Sequence, residues 1–198
     1  MIRKISGISL IKLSMAVSIA ALILTTAFPF YSKITEKRKL AYKADQVSMF
    51  LTTAHEESVK RNELISISMM NQNGGTDWCV GIKDDGATCD CTVSDPLHAD
   101  FCEVAGYKKQ LLSSTDEGSV NAETIAMQMG SAAIEPTRGM LSNPASRAVL
   151  DLSSLNGNYS LEVQLNQTGR NKVCAEDGRA IAGYPGCQSF FGNNGAAS

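Results

Sequence analysis

Histidine is scarce in this chain of 198 residues, which has only His55 and His98. No G-x-S-x-G run, phosphate-cradling glycine loop or dinucleotide glycine pattern occurs. The usual carriers of nucleophilic, acid–base and nucleotide-dependent catalysis are therefore missing, and neither enzymatic activity nor a cofactor is expected. Glycine is absent between Gly7 and Gly74, and Pro29 is the one proline in that interval. Cysteine is absent before Cys79. Charge is absent from Leu13 to Ser32, twenty residues reading LSMAVSIAALILTTAFPFYS.

Each of the last three gaps organises the chain. An uncharged run of that length makes about 30 Å of helix, enough for a bilayer core. Lys33, Lys37, Arg38 and Lys39 follow directly, as at a membrane boundary, and no small-residue cleavage site follows the run. A retained anchor is expected rather than a removed secretory signal. With so few breakers, one helix of roughly 80 Å should extend from Ile8 to Arg61, bent near Pro29. Residues 8–32 form its apolar half. Residues 33–61 form an amphipathic half, with Leu40, Ala44, Val47, Leu51, Ala54 and Ser58 in one stripe and Lys43, Asp45, Glu56, Glu57, Lys60 and Arg61 elsewhere.

Residues 62–198 read as a β-rich head. LISISMM (64–70) alternates, with Leu64, Ser66, Ser68 and Met70 on one face and Ile65, Ile67 and Met69 on the other. WCVGIK (78–83), the stretch Cys89–Val93, RAVLDL (147–152), YSLEVQL (159–165) and KVCA (172–175) are further strand candidates. Turns are expected at Asn73-Gly74-Gly75, Asp85-Gly86 and Asn156-Gly157-Asn158, with a hairpin centred near Asp85. Between 113 and 146 the pattern supports one edge strand, about 120–128, and a long loop. The fold class is α+β, a long N-terminal helix packed on an antiparallel head.

Six cysteines, Cys79, Cys89, Cys91, Cys102, Cys174 and Cys187, all lie beyond the anchor. An even count confined to the exported part reads as three disulfides in an oxidising compartment. Cys79 with Cys91 and Cys89 with Cys102 is one arrangement; Cys79 with Cys89 and Cys91 with Cys102 is the other. Cys89, Cys91, Cys102 and His98 lack a zinc-ribbon spacing, and Asp77, Asp84, Asp85 and Asp90 lack the EF-hand spacing, so no metal is assigned. From Ala44 onward ten Lys or Arg face nineteen Asp or Glu, a balance of −9. An acidic head above a basic collar at residues 33–43 suits anionic lipid head groups better than general nucleic-acid binding.

The N-terminal run Gly7, Ile8, Ser9, Leu10, Ile11, Lys12, Leu13 resembles the prepilin signal of type IV pilins, pseudopilins and their relatives, as do the positions of Pro29 and Tyr31. LTTAHEESVKRNELISI (51–67) and NQTGRNKVCAEDGRAIAGYPGC (166–187) resemble the helix-to-strand passage and the C-terminal ending of the GspH/FimT group. The resemblance implies a leader of residues 1–7, cleavage after Gly7 by a prepilin peptidase and methylation of Ile8. It implies a chain held in the bacterial inner membrane with its head in the periplasm. From there an assembly platform would pass it to other subunits in a pilus on the cell surface or in a periplasmic pseudopilus. The role implied is a minor pilin at or near the tip, with a type II secretion pseudopilin or a DNA-uptake minor pilin as alternatives.

Lys12 departs from the family, which carries Glu there. A lysine would repel the terminal amine of a neighbour in an apolar filament core, which suits a subunit lacking that neighbour. Cys174 with Cys187 would close a C-terminal loop of twelve intervening residues, worth about 3 kcal/mol. Arg170 and Lys172 are the residues that the resemblance would assign to DNA contact, with Arg179 nearby in the C-terminal loop as a further candidate, a role that the acidic head disfavours.

Overall fold

The computed structural model describes residues 10–72, 76–112, 120–124, 131–142, 148–176 and 181–187; at 26–30, 72, 108, 112, 120–124, 131 and 148–149 it describes the backbone alone. Helix α1 runs from Leu10 to Arg61. The bend expected at Pro29 falls where the backbone alone is described, and the helix continues through it. The chain divides into two compact units between Arg38 and Lys39.

In the first unit α1 carries exposed Leu10, Ile11, Leu13, Met15, Val17, Ile19, Leu22, Ile23 and Leu24. Its hydroxyls bond back to the helix itself. Ser14 donates to the Ile11 carbonyl at 2.9 Å, Ser18 to Ser14 at 2.9 Å, Thr25 to Leu22 at 2.9 Å and Thr35 to Tyr31 at 3.0 Å. These four hydroxyls are thus satisfied without water. Among the described residues no helix is long and apolar enough to cross a membrane; residues 26–30 of the uncharged run lie outside the described side chains.

The second unit is built on the other half of α1. Leu40, Ala44, Val47, Leu51, Ala54 and Ser58 are all buried, as the periodic stripe requires. Lys43, expected on the polar face and in the collar, is also buried, at 3% exposure. It stands three residues after Leu40 and four before Val47, so it borders the stripe, and its long apolar stem lies along the core. Ser58 ends the stripe as a tie, donating to the carbonyls of Glu63 at 2.9 Å and Ile134 at 3.1 Å. Asn62 then adopts a positive φ of 55°, a conformation that Asn tolerates and that stops helices. Arg61 and Glu57 pair at 2.6 Å in the last turn; that hydrogen bond holds the Glu57 carboxyl below its ordinary range and raises the guanidinium.

The strands are β1 Ile65–Gln72, β2 Asp77–Lys83, β3 Glu103–Val104, β4 Tyr107–Lys108, β5 Gln110–Leu112, β6 Val120–Thr124, β7 Ser131–Glu135, β8 Met140–Leu141, β9 Ala148–Ser154, β10 Ser160–Leu165 and β11 Asn171–Ala175. They form a sheet ordered β5-β2-β1-β7-β8, a second ordered β11-β10-β9-β6, and the small pair β3-β4. Their ladders are antiparallel. One core joins both large sheets to the helix stripe: Ile65, Ile67 and Met69, then Trp78, Val80 and Ile82, and from the second sheet Leu150, Leu152, Leu161, Val163 and Leu165. The architecture is α+β.

Several expectations need correction. Residues 113–146 hold strands as well as loop: β7 pairs with β1 and carries buried Ile134, although Ala-rich SAAIE lacks a strand signature. The edge strand is present as β6, and 125–128 lie outside the described residues. Cys89–Val93 is no strand, because two disulfides and a side-chain turn at Asp90, which accepts the Thr92 amide at 2.8 Å, hold it instead. Asp85-Gly86 does turn the chain, both residues at positive φ, but it opens no hairpin, since β2 takes β5 as its second partner. Asn73-Gly74-Gly75 lies outside the described residues, between the paired Gln72 and Asp77. Gly157, at φ 66°, turns β9 into β10.

Candidate functional site

Two places in the head carry built geometry, the stapled segment over β2 and the touching turns beside His55. In the first, the outward face of the first sheet presents Ser66, Ser68 and Met70 from β1 opposite Lys83, Gly81 and Cys79 from β2. Cys79 joins Cys91 and Cys89 joins Cys102, so the two bridges interleave; Cα separations are 5.9 and 5.1 Å. Both bridges are buried against Met70. A Cβ on Gly81 would stand 2.3 Å from the Cys102 sulfur. Only glycine leaves room for a bridge lying on the strand backbone. Ser68 accepts the Cys89 amide at 3.0 Å, and Ser66 donates to the carbonyls of Ala87 and Lys83. Sequence alternation showed these serines on one face; their role in seating the segment depends on the chain folding back over it.

Beyond the bridges, residues 92–100 project. Leu97 is 94% exposed. Its turn is held from within: Asp95 accepts the Leu97 amide at 3.0 Å and, through its carbonyl, the His98 amide at 3.1 Å. Phe101 donates to the His98 carbonyl at 3.0 Å, and Asp90 to the Asp100 carbonyl at 2.7 Å. His98 Nδ1 accepts the Asp100 amide at 3.2 Å and lies 3.7 Å from the Asp100 carboxylate.

In the second place, His55 on α1 is half-buried against two glycine turns. A Cβ on Gly139 would meet its Nε2 at 2.4 Å, and one on Gly169 would meet the Gly139 carbonyl at 2.0 Å. Both glycines have positive φ, 61° and 72°. The Leu141 amide donates to the Gln167 carbonyl at 3.0 Å, fastening the turns together. Arg138, Met140 and Arg170 flank them and are exposed. Sequence reading named Arg170 and passed over Arg138 and Met140. The P-T-R-G turn at 136–139 was a usable signal, but its nearness to residue 170 comes only from tertiary pairing.

Lys172 lies half-buried on β11 opposite Gln164. Asn171, its neighbour, reaches the helix instead, donating to Ser48 Oγ at 3.0 Å and Thr52 Oγ1 at 3.1 Å. Arg170 is exposed and Lys172 half-buried, and Arg179 lies outside the described residues. Gly7 and Ile8 lie outside them too. Lys12 and Tyr31 are exposed on α1, and the Pro29 side chain is not described. Cys174 bonds Cys187, and the loop returns to β11 where Ala175 donates to the Pro185 carbonyl at 2.9 Å. Tyr184 of that loop donates to Asp45 on α1 at 3.3 Å; burial chiefly, and Asp45 secondarily, raise its phenol. Glu162, Cys174 and Cys187 lie within reach of one ion, but both sulfurs are spent in the disulfide.

No family model matches the chain, and no curated protein matches it. Among solved structures it is similar to the type IV minor pilin FimU of Pseudomonas aeruginosa (strain PAO1) in two crystal forms. For the P21 form, identity is 16%, with 74% of this chain and 95% of that chain covered and a TM-score of 0.45. For the P65 form the identity is 17%, the coverage 66% and 88%, and the TM-score 0.41.

Proposed function

We propose that the chain is a minor subunit of a type IV pilus, held in the bacterial inner membrane by its N-terminal helix until it is assembled. One observation carries the reading. The helix that buries its second-half stripe in the head exposes Leu10, Ile11, Leu13, Val17, Leu22, Ile23 and Leu24 in its first half. Apolar surface of that extent calls for lipid or for other helices. The prepilin-like run at Gly7–Leu13 supports the same reading, with cleavage after Gly7 and methylation of Ile8. The work of such a subunit is packing, and its partners are other pilins, the prepilin peptidase and the assembly platform.

Lys12 supports a place at or near the tip, where no neighbour's terminal amine has to be neutralised. In the source bacterium, Leu22→Arg should remove the chain from sheared surface pili while leaving the head folded with its disulfides closed. Undiminished incorporation would overturn the reading. Lys12→Glu should spread an epitope-tagged chain from filament ends along the shaft; unchanged restriction to the ends would count against the role given to Lys12. Recovery in a periplasmic filament instead of surface pili would point to a secretion pseudopilin. DNA capture is less favoured, given the acidic head and the half-buried Lys172.

A further inference from the structure

The two built places on the head have complementary chemistry. Leu97 stands almost fully exposed between Asp95 and Asp100, both exposed, on a turn fastened by its own hydrogen bonds and by the interleaved bridges at its base. Met140 stands exposed between Arg138 and Arg170 on two turns held together through Gly139, Gly169 and His55. Among the described residues no carboxylate pairs with either guanidinium. A Leu97 knob flanked by Asp95 and Asp100, with Lys83 bonded to the Ala99 carbonyl, therefore exists on the same chain as a Met140 patch flanked by two arginines, with half-buried Glu135 as the cross-strand partner of Met140, and each is presented by hydrogen-bonded turns.

We propose that these surfaces dock, the Leu97 knob of one copy seating on the Arg138–Met140–Arg170 patch of a second copy. Preorganised turns lose little freedom on contact, so a small patch counts for more than its area suggests. Opposed charges fix which way round the copies meet, and like charges penalise other registers. Knob and patch are different surfaces, so one subunit's contact leaves its own knob free for another copy or for the reciprocal contact in a closed pair. The inference deepens the subunit reading and relies on it only for setting.

The test uses the full chain in detergent micelles, with the photoreactive amino acid p-benzoylphenylalanine in place of Leu97. Illumination should yield a product of doubled mass whose crosslink maps by mass spectrometry to the segment holding Arg138 and Met140 or to that holding Arg170. Arg138→Glu with Arg170→Glu should lower the yield by about tenfold or more, and Asp100→Arg in the same chain should restore part of it. Asp95 is kept, because its carboxylate also holds the turn. Three closed disulfides by mass and an unchanged melting curve certify each variant as folded. Absence of the doubled product, a crosslink mapped to helix residues 10–38 or elsewhere, or a yield indifferent to charge reversal overturns the proposal. Since no filament is involved, these failures are distinct from a failure to enter pili.

Discussion

The two halves of α1 obey one backbone rule and opposite surface rules. Between Leu40 and Ser58 every third or fourth residue disappears into the head. Between Leu10 and Leu24 leucine, isoleucine, valine and methionine stand in the open. Even the lysines follow the division, Lys43 buried and Lys12 exposed. A sequence can hold helical form constant and still change what the helix is for, because form follows from the lack of breakers and use follows from the width of the apolar stripe.

The sharpest break of that comparison is to shave one leucine from each half. Leu51→Ala should cost the head about 2–5 kcal/mol, read as a lower denaturant midpoint, because the head cannot close the cavity. Leu22→Ala should leave that midpoint within about 0.5 kcal/mol. Equal effects would mean that the halves are not separate in stability. A smaller version uses the lysines. Lys43→Ala should cost about 1–3 kcal/mol through lost packing and a disturbed buried polar site, and Lys12→Ala should cost next to nothing by the same measurement.

A comparable loss is expected where no helix takes part. Gly81→Ala should destabilise the head by about 1–3 kcal/mol by pushing on the Cys89–Cys102 bridge, with incomplete closure of that bridge detectable by thiol labelling. The smallest effect concerns the tie between the second helix half and the C-terminal loop. The Tyr184 phenol is raised above its ordinary value of 10.0, so its contribution is present below that pH and is lost as the pH rises through the folded value. Tyr184→Phe should flatten this alkaline decline; an unchanged pH profile would show that the Tyr184 phenol carries none of it.

What could be read in advance followed periodicity. The stripe from Leu40 to Ser58 and the alternation of Ile65, Ile67 and Met69 name their buried faces because spacing alone decides which side chains share a side. The remainder depended on what lies opposite. Ser131–Glu135 becomes a strand because β1 offers it an edge, and Ala132 and Ala133 give no hint of that. The stretch from Cys89 looked strand-like until its cysteines were tied elsewhere. Lys43 looked solvent-facing because composition takes no account of a stem lying along a core. Arg138 gained significance only when Gly139 and Gly169 met, thirty residues apart in sequence.

The interleaved bridges carry a consequence in time. On the proposed reading, in which the head crosses the membrane after its anchor, Cys89 would meet Cys79 before Cys91 has emerged, so oxidation in order of arrival would form a bridge that the finished head does not contain. Reaching the native pairs then requires thiol–disulfide exchange, with Cys91 or Cys102 displacing the first partner. On that reading, maturation of this head would depend on a disulfide-reshuffling activity in the compartment it enters, and a strain able to oxidise thiols but not to isomerise them should accumulate the chain with its cysteines joined in the order they appeared.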